Sequence, residues 1–380
     1  MSSLYIGLMS GTSCDAIDGV IVSFLSHHNS SKSSLPVQLL ATHRKKINSR
    51  LKQAILKLNS PSANEIHHLG EVDHCLGELF STTCLELLHH SQINPKQITA
   101  IGSHGQTVRH HPDGKYPFTI QIGDPNIIAA RTGITTVADF RRKDISLKGQ
   151  GAPLAPGFHA FLLQDTSTNR WILNIGGIAN LTWLPRVNQP NENSIIGFDT
   201  GPGNCLMDDW CFIHTQKHFD DEGKWALQGK TDQKLLDLLL QDAYFQKKHP
   251  KSTGREYFNL KWLNSYLEKL PPILSCDIQA TLLELTAKSI FLSTQAQTER
   301  ADELWLCGGG SYNCALVERL QQLFSPIKVQ TTLACGFAPE WIEAAAFAWL
   351  AHQTLNHLPG NIPSVTGATK ATVLGAIYPI

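Results

Sequence analysis

Three short glycine turns stand at the ends of apolar runs: Ser10-Gly11-Thr12-Ser13 after Leu4 to Leu8, Gly176-Gly177 after Arg170 to Ile175, and Gly308-Gly309-Gly310 after Glu303 to Leu306. Backbone N–H groups in such turns approach phosphate oxygens closely, and the hydroxyls of Ser10, Thr12 and Ser13 add donors. A triple glycine ahead of a helix leaves bare backbone for a flat ring to lie against. Two other phosphate devices fail. Gly229-Lys230-Thr231 has its preceding glycine, Gly223, one residue too far away and no strand before it; Gly201-Pro202-Gly203 has Leu206 where a dinucleotide fingerprint needs its third glycine. One glycine turn most simply ends a strand, but three in this order point to a clamp for a nucleotide triphosphate.

Asp199 follows the apolar run Ile195 to Phe198 and precedes Gly201-Pro202-Gly203, which puts a carboxylate at a strand end beside flexible backbone. Such a group serves as a general base, or it bonds its own backbone and merely forms the turn. Two further strands, Ile98 to Ile101 and Ile134 to Val137, deliver polar clusters at their carboxyl ends: His104, Gln106 and Thr107 from one, Asp139, Arg141, Arg142 and Asp144 from the other. In open α/β sheets that edge faces the ligand crevice. Arg141 or Arg142 suits a planar carboxylate, with the alternative that these charges pair among themselves. Glu343 stands in an otherwise apolar helix, aimed at a cleft or at solvent. Lys251 to Arg255 has catalytic composition and is a secondary candidate, with the alternative that it only holds a loop and caps the segment that follows. His67, Glu71 and His74 share a helix face but lack a fourth ligand, so a solvated face is the expectation rather than a metal site.

The elements that must carry these groups alternate strand and helix. A strand, a Gly/Ser/Thr turn and a second strand (Gly19 to Leu25) open the chain, a polar stretch from Ser26 to Ser34 reads as a loop, and a helical zone capped near Asn48 continues from Ala63 to His90. Arg170 to Leu184 repeats the opening pattern. Helices are expected near Gln233 to Phe245, Asp277 to Gln297, Cys314 to Phe324 behind an Asn313 cap, and Glu340 to Leu355.

Composition narrows the classes. The 380 residues allow about two to three domains, and 32 basic against 32 acidic side chains leave no field to hold a polyanion, so nucleic acid is not an expected partner. Nine cysteines stand without C-x-x-C spacing, which fits a reducing cytoplasm; no run is apolar and long enough to span a membrane, and the N-terminal run lacks the basic region of an export signal.

The runs GLMSGTSCDAID (7–18), IGSHGQTVRH (101–110), GQGAPLAPGFH (149–159), LNIGGIANL (173–181), GFDTGPGNCLMDDW (197–210), KSTGREYFN (251–259) and CGGGSYN (307–313) resemble the 1,6-anhydro-N-acetylmuramic acid kinases, and the likeness covers essentially the whole chain. It implies an α/β fold of two actin-like, ribonuclease H-like domains with an ATP and sugar cleft between them, expected over residues 1–145 plus 360–380 and residues 146–359. It implies Asp199 as catalytic base and Gly11, Thr12, Ser13, Cys14, Asp15, Ala16, Ile17, Asp18, Gly176, Gly177, Asn180, Gly308, Gly309 and Gly310 as nucleotide-binding residues. His104, Gln106, Thr107, Asp139, Arg141 and Glu343 are implied for the sugar. ATP and Mg²⁺ are the implied cofactors, with the metal ligands undetermined because Met9 stands where superfamily members carry an aspartate, and a cytoplasmic homodimer is implied. Ala16 departs from the family's glycine, which matters if that residue needs positive φ. A kinase for another amino sugar and an actin-type nucleotide-binding module without sugar chemistry remain the alternatives.

Overall fold

The computed structural model describes residues 3–11, 13–25, 35–187, 194–249, 251–295, 297 and 299–380, so Thr12 and the polar stretch 26–34 lie outside the described residues. The chain divides into two compact units. The first holds Met1–Leu162, Cys335–Phe337 and Trp341–Ile380; the second holds Leu163–Ala334 and Ala338–Glu340.

The first unit contains β1 (Ser3–Ser10), β2 (Ala16–Phe24), β3 (Val37–Lys46), β4 (Ile98–Ser103), β5 (Gln106–His111), β6 (Phe118–Ile122) and β7 (Thr136–Ala138). Its main sheet has the order β7-β4-β1-β2-β3, with the C-terminal strand Ala376–Tyr378 added outside β7. β1, β2 and β3 form an antiparallel meander, while β4 pairs parallel with β1 and β7 parallel with β4. β1 and β2 lie mid-sheet and are buried along most of their length, which is why they read as continuous apolar runs. β3 is an edge strand with side chains alternately turned out, and its polar alternation VQLLATHRKK hid it from a search for apolar runs. The hairpin β5–β6 forms a separate small sheet that takes in Gln106 and Thr107, residues expected in a loop.

Helix Glu65–Ser91 covers one face, placing Leu76, Phe80 and Leu87 in one core with Ile6, Leu8, Ile17 and Ile21. Helix Ile342–Leu355 packs on β1 and β4. Its approach is unusually close: Gly7 pairs with Gly102 in register, and a Cβ on either would run into the carbonyl oxygen of Ala344 or Phe347. The alanines Ala344, Ala345 and Ala348 keep the helix side equally slim. This packing moves the helix, together with residues 146–162, into the first unit, whereas the sequence boundaries assigned both to the second.

The second unit repeats the device. Its strands are β8 (Arg170–Ile175), β9 (Ile178–Leu184), β10 (Ile196–Pro202), β11 (Glu303–Cys307) and β12 (Lys328–Thr331), in the order β10-β9-β8-β11-β12. Again the first three strands form an antiparallel meander and the next two run parallel to the first. Each unit thus has the strand order of an actin-like domain. Helix Ser275–Thr294 buries Leu282 and Leu285 against Leu173, Leu181 and Leu306, and Asn313 caps helix Cys314–Phe324 by accepting the Leu316 N–H at 3.1 Å.

Because the Gly7 and Gly102 contacts are with backbone carbonyls, which cannot rotate aside, Gly102→Ala is expected to destabilise the first unit by at least about 1–3 kcal/mol, the usual cost of overpacking. Denaturant unfolding checks this, with Gly70→Ala, whose added Cβ meets nothing within 4 Å and whose φ, like that of Gly102, is not positive, as the comparison without overpacking.

Candidate active site

In the first unit the sugar candidates converge at the carboxyl ends of β1, β4 and β7. The buried Ser10 hydroxyl donates to Gln106 Oε1 at 2.7 Å, and the Gln106 amide donates to the Thr107 carbonyl at 3.2 Å. His104 is fixed by two partners: its Nδ1–H donates to the Ser10 carbonyl at 3.2 Å, and its Nε2 accepts from Arg141 Nη2 at 2.9 Å. Burial, and then the Arg141 charge, push its pKa down to about 3, so the ring is neutral at physiological pH and this tautomer persists. The ring also packs on Phe347, 4.7 Å between centroids.

Arg141 donates Nη1 to the Gly151 carbonyl at 2.8 Å, while its buried Nε has no hydrogen-bond partner. Burial lowers its pKa to about 10, opposed by the charges of Glu343 and Asp144, so it remains cationic. Glu343 sits in the first turn of helix Ile342–Leu355, where the helix dipole favours a carboxylate. Arg142 differs from its neighbour: it is largely exposed and forms a two-point pair with Asp139 (2.8 and 2.6 Å). Asp139 adopts φ +60° and, with His104, Asp73, Gln121 and Tyr378, lines a cavity of about 170 Å³. Thr107 Oγ1 accepts from Gln121 at 3.1 Å on the same hairpin. Asp144, grouped with these residues by sequence, is fully buried and accepts from the Gly151 amide, Asn361 and Thr366 at 2.7–2.8 Å, so it ties the loop after β7 to the C-terminal segment and does not face a ligand.

The expected phosphate turn closes with the Cys14 N–H on the Gly11 carbonyl at 3.1 Å. Cys14, at φ +53°, takes the left-handed conformation; Ala16 is the first residue of β2, so the missing glycine imposes no strain. Ser13 lies on this turn. Further along, Ile17 is a core side chain, while Asp15 pairs with Lys52 at 2.5 Å and Asp18 with Arg44 at 2.6 Å in exposed ion pairs.

In the second unit Asp199 lies on β10, cross-strand from Asn180 of β9 and next to a register shift before Gly201. Its Oδ2 accepts the Thr253 N–H at 3.0 Å, its own N–H donates to the Lys251 carbonyl at 3.1 Å, and its carbonyl accepts from the Tyr244 hydroxyl at 2.8 Å. The side chain is partly exposed yet crowded by protein, and this desolvation raises its pKa to about 7; the Thr253 amide and Lys251 oppose the rise and Glu256 adds to it. Lys251 stands over the Tyr244 ring at 4.8 Å.

The end of the same strand is tied to the Gly176-Gly177 turn. The N–H groups of Gly203 and Cys205 donate to the Gly177 carbonyl and that of Asn204 to the Gly176 carbonyl, all within 3.1 Å. A Cβ on Gly203 would strike the Gly176 carbonyl, so the glycine lets β10 end directly on the β8–β9 turn. At the third turn Gly308 takes φ +79°, Gly310 is pressed against Ile175, and Gly309 is exposed with nothing within 4 Å of an added Cβ.

Sequence reasoning missed the support beneath Asp199. The Asp242 carboxylate accepts from the Tyr244 amide, Tyr257, Trp262 and Tyr266 at 2.7–2.9 Å. Burial acts to raise its pKa, but Trp262 and the other three donors outweigh it and the group titrates below the ordinary 3.8. The aromatic density of 244–266 is the only sequence sign of this hub. His67 and Glu71 form an exposed pair at 3.4 Å, and among the described residues no three His, Cys, Asp or Glu side chains group to hold a metal.

Removing Asp242 strands four donors. Asp242→Ala is expected to cost at least about 2 kcal/mol in denaturant unfolding at pH 7. Because the native pKa is depressed, the stabilisation is full above the unfolded value of 3.8 and fades as the pH falls through the folded one, so the difference between wild type and variant should shrink in acid.

A family model described as anhydro-N-acetylmuramic acid kinase matches residues 3–380. A protein of Coxiella burnetii (strain Dugway 5J108-111) named anhydro-N-acetylmuramic acid kinase is 54% identical over 376 residues, 98% of this chain and 97% of that protein. A Shewanella amazonensis protein of the same name is 48% identical over 377 residues, 99% of each chain. Among solved structures, the activator of the 2-hydroxyisocaproyl-CoA dehydratase from Clostridium difficile with bound ADPNP aligns over 92% of this chain and 93% of that chain, at 13% identity and a TM-score of 0.43. With a family match from residue 3 to the last residue and half of all positions shared with full-length relatives, the chain belongs to the anhydro-N-acetylmuramic acid kinase family.

Proposed function

We propose that the chain opens the anhydro bridge of 1,6-anhydro-N-acetylmuramic acid with water and transfers the γ-phosphoryl group of ATP to O6, giving N-acetylmuramic acid 6-phosphate for the recycling of cell-wall murein. Family membership makes it an ATP-dependent sugar kinase. The observation that carries the hydrolytic step is Asp199, a partly exposed carboxylate whose pKa is raised to about 7, close to the optimum for a general base at neutral pH. Ionised Asp199 takes a proton from water as the water oxygen bonds to C1. The C1–O6 bond breaks, O6 keeps its electron pair and attacks the γ-phosphorus, and ADP leaves. The proton on Asp199 then returns to solvent.

The first unit's share in this reading is the Gly11–Cys14 turn for phosphate and His104, Gln106, Thr107 and Glu343 for sugar hydroxyls. Arg141 is the better arginine for the lactyl carboxylate, since its Nε lacks a partner and Arg142 is committed to Asp139. The second unit's share is Asp199 with Gly176, Gly177 and Asn180, and the open backbone of Gly309 for adenine. Mg²⁺ bound together with ATP would be held mainly by phosphate oxygens and water. When bound it neutralises phosphate charge. A cytoplasmic homodimer belongs to the same reading. Nine cysteines without a disulfide support a reducing compartment, and no described helix is long and apolar enough to cross a membrane.

Asp199→Asn is expected to fold and bind ATP but to lose turnover by about 10²–10⁴-fold, the worth of a general base. The wild-type kcat/KM should fall about tenfold per pH unit below about 7, because protonation removes the base; a rate held constant down to pH 5 would overturn this role. Mass spectrometry of a reaction with Mg-ATP in ¹⁸O-labelled water should find a product equal to substrate plus water plus a phosphoryl group, with the label at C1. N-Acetylglucosamine or N-acetylmuramic acid phosphorylated in preference would instead indicate an ordinary amino-sugar kinase.

A further inference from the structure

Arg255 lies in the second unit, two residues beyond the Thr253 amide that holds Asp199, and its backbone is pinned by the Asn259 side chain, which donates to the Arg255 carbonyl at 3.1 Å. Its guanidinium covers the Gly176-Gly177 turn: a Cβ on Gly177 would stand 3.2 Å from Nε and 3.5 Å from Nη2. Nε is buried and has no hydrogen-bond partner. Among the described residues the carboxylate in pairing range is Asp209, 3.6 Å from Nη1, and both side chains of that pair are about a third exposed, so the contact is weak and easily exchanged. A buried guanidinium N–H without an acceptor is costly, and a planar fork beside a glycine turn and next to a general base has the shape to receive a tetrahedral oxyanion.

We propose that Arg255 is a catalytic residue that binds the transferring phosphoryl group of the nucleotide, with Nε and one Nη as paired donors and the Gly177 backbone lying flat beneath the guanidinium so that no side chain blocks the approach. The proposal rests on the nucleotide reading above and adds a specific ligand to it. A cation here neutralises the charge that builds on the equatorial oxygens as O6 attacks, the role that arginine fingers play in other phosphoryl-transfer sites. Sharing one short segment with the Thr253 amide, the guanidinium is held in fixed register with the base. A Cβ at 177 would crowd the guanidinium, which would have to give by a few tenths of an ångström.

The test measures ATP and ADP binding to the full chain by calorimetry, without sugar, alongside turnover. In Arg255→Lys and Arg255→Ala, ADP affinity should stay within about twofold of wild type, ATP affinity should drop about tenfold, and kcat should drop about 10²–10³-fold. Guanidinium at low millimolar concentration should restore part of the Arg255→Ala rate, which loss of a merely structural ion pair would not allow. Asp209→Asn removes only the pairing carboxylate and should change ATP affinity less than about threefold. Unchanged discrimination between ATP and ADP with kcat within about threefold of wild type, or an Asp209→Asn variant that reproduces the Arg255 losses, would overturn the assignment. If the wild-type chain itself binds neither nucleotide, the nucleotide reading fails first, and that result is separable from any effect at Arg255.

Discussion

Keeping a carboxylate half out of water is expensive, and much of the second unit is arranged around meeting that expense at Asp199. The ionised form is destabilised by desolvation and steadied by the Thr253 amide and, more weakly, by the charge of Lys251. For one N–H to matter, it must stay in place. The segment carrying it is held at one end by the Tyr244 hydroxyl on the Asp199 carbonyl and at its base by Asp242, which gathers four donors from residues 244 to 266. The carboxylate is therefore supported from a stretch of chain some fifty residues away in sequence. Its pKa near 7 results from that balance: with more solvent it would fall to an ordinary carboxylate, and without the amide it would rise further.

The glycine turns act in two different ways. Gly203 lets β10 end against the Gly176 carbonyl, and Gly7 and Gly102 let a helix rest on a sheet; in both, the absence of a side chain is a packing requirement. Gly309 has no such neighbour, and its bareness is open to solvent. Packing demands glycine at positions 7, 102 and 203 and makes no such demand at 309.

Much of this was legible in the sequence because it depends on local patterns. The repeated strand–turn–strand unit, the Asn48 and Asn313 caps and the long helix after Ala63 are set by short-range periodicity and hydrogen-bonding residue types. The gathering of His104, Gln106 and Arg141 follows from strands delivering polar residues at their carboxyl ends. What was hidden depends on distant contacts. The edge strand β3 alternates polar and apolar residues without an apolar run; helix Ile342–Leu355 joins the first unit through two glycines some 240 and 340 residues earlier. The assignment of φ > 0 to Cys14 and not to residue 16 turned on where β2 begins, a boundary that strand propensity does not fix.

Arg141 and Arg142 show most clearly how burial, not residue type, assigns chemistry. Adjacent in sequence, they emerge from the same strand end. One is exposed and satisfied by Asp139 three residues away, a pairing worth little and screened by salt. The other is enclosed, gives two of its donor nitrogens to His104 and Gly151, and keeps Nε without an acceptor. The same contrast holds for the whole chain, whose equal numbers of acidic and basic residues exclude a long-range field for polyanions. A small anion needs no such field. A guanidinium with an unmet donor in a poorly hydrated setting binds a carboxylate or a phosphoryl oxygen through short-range geometry, and net charge carries no information about it.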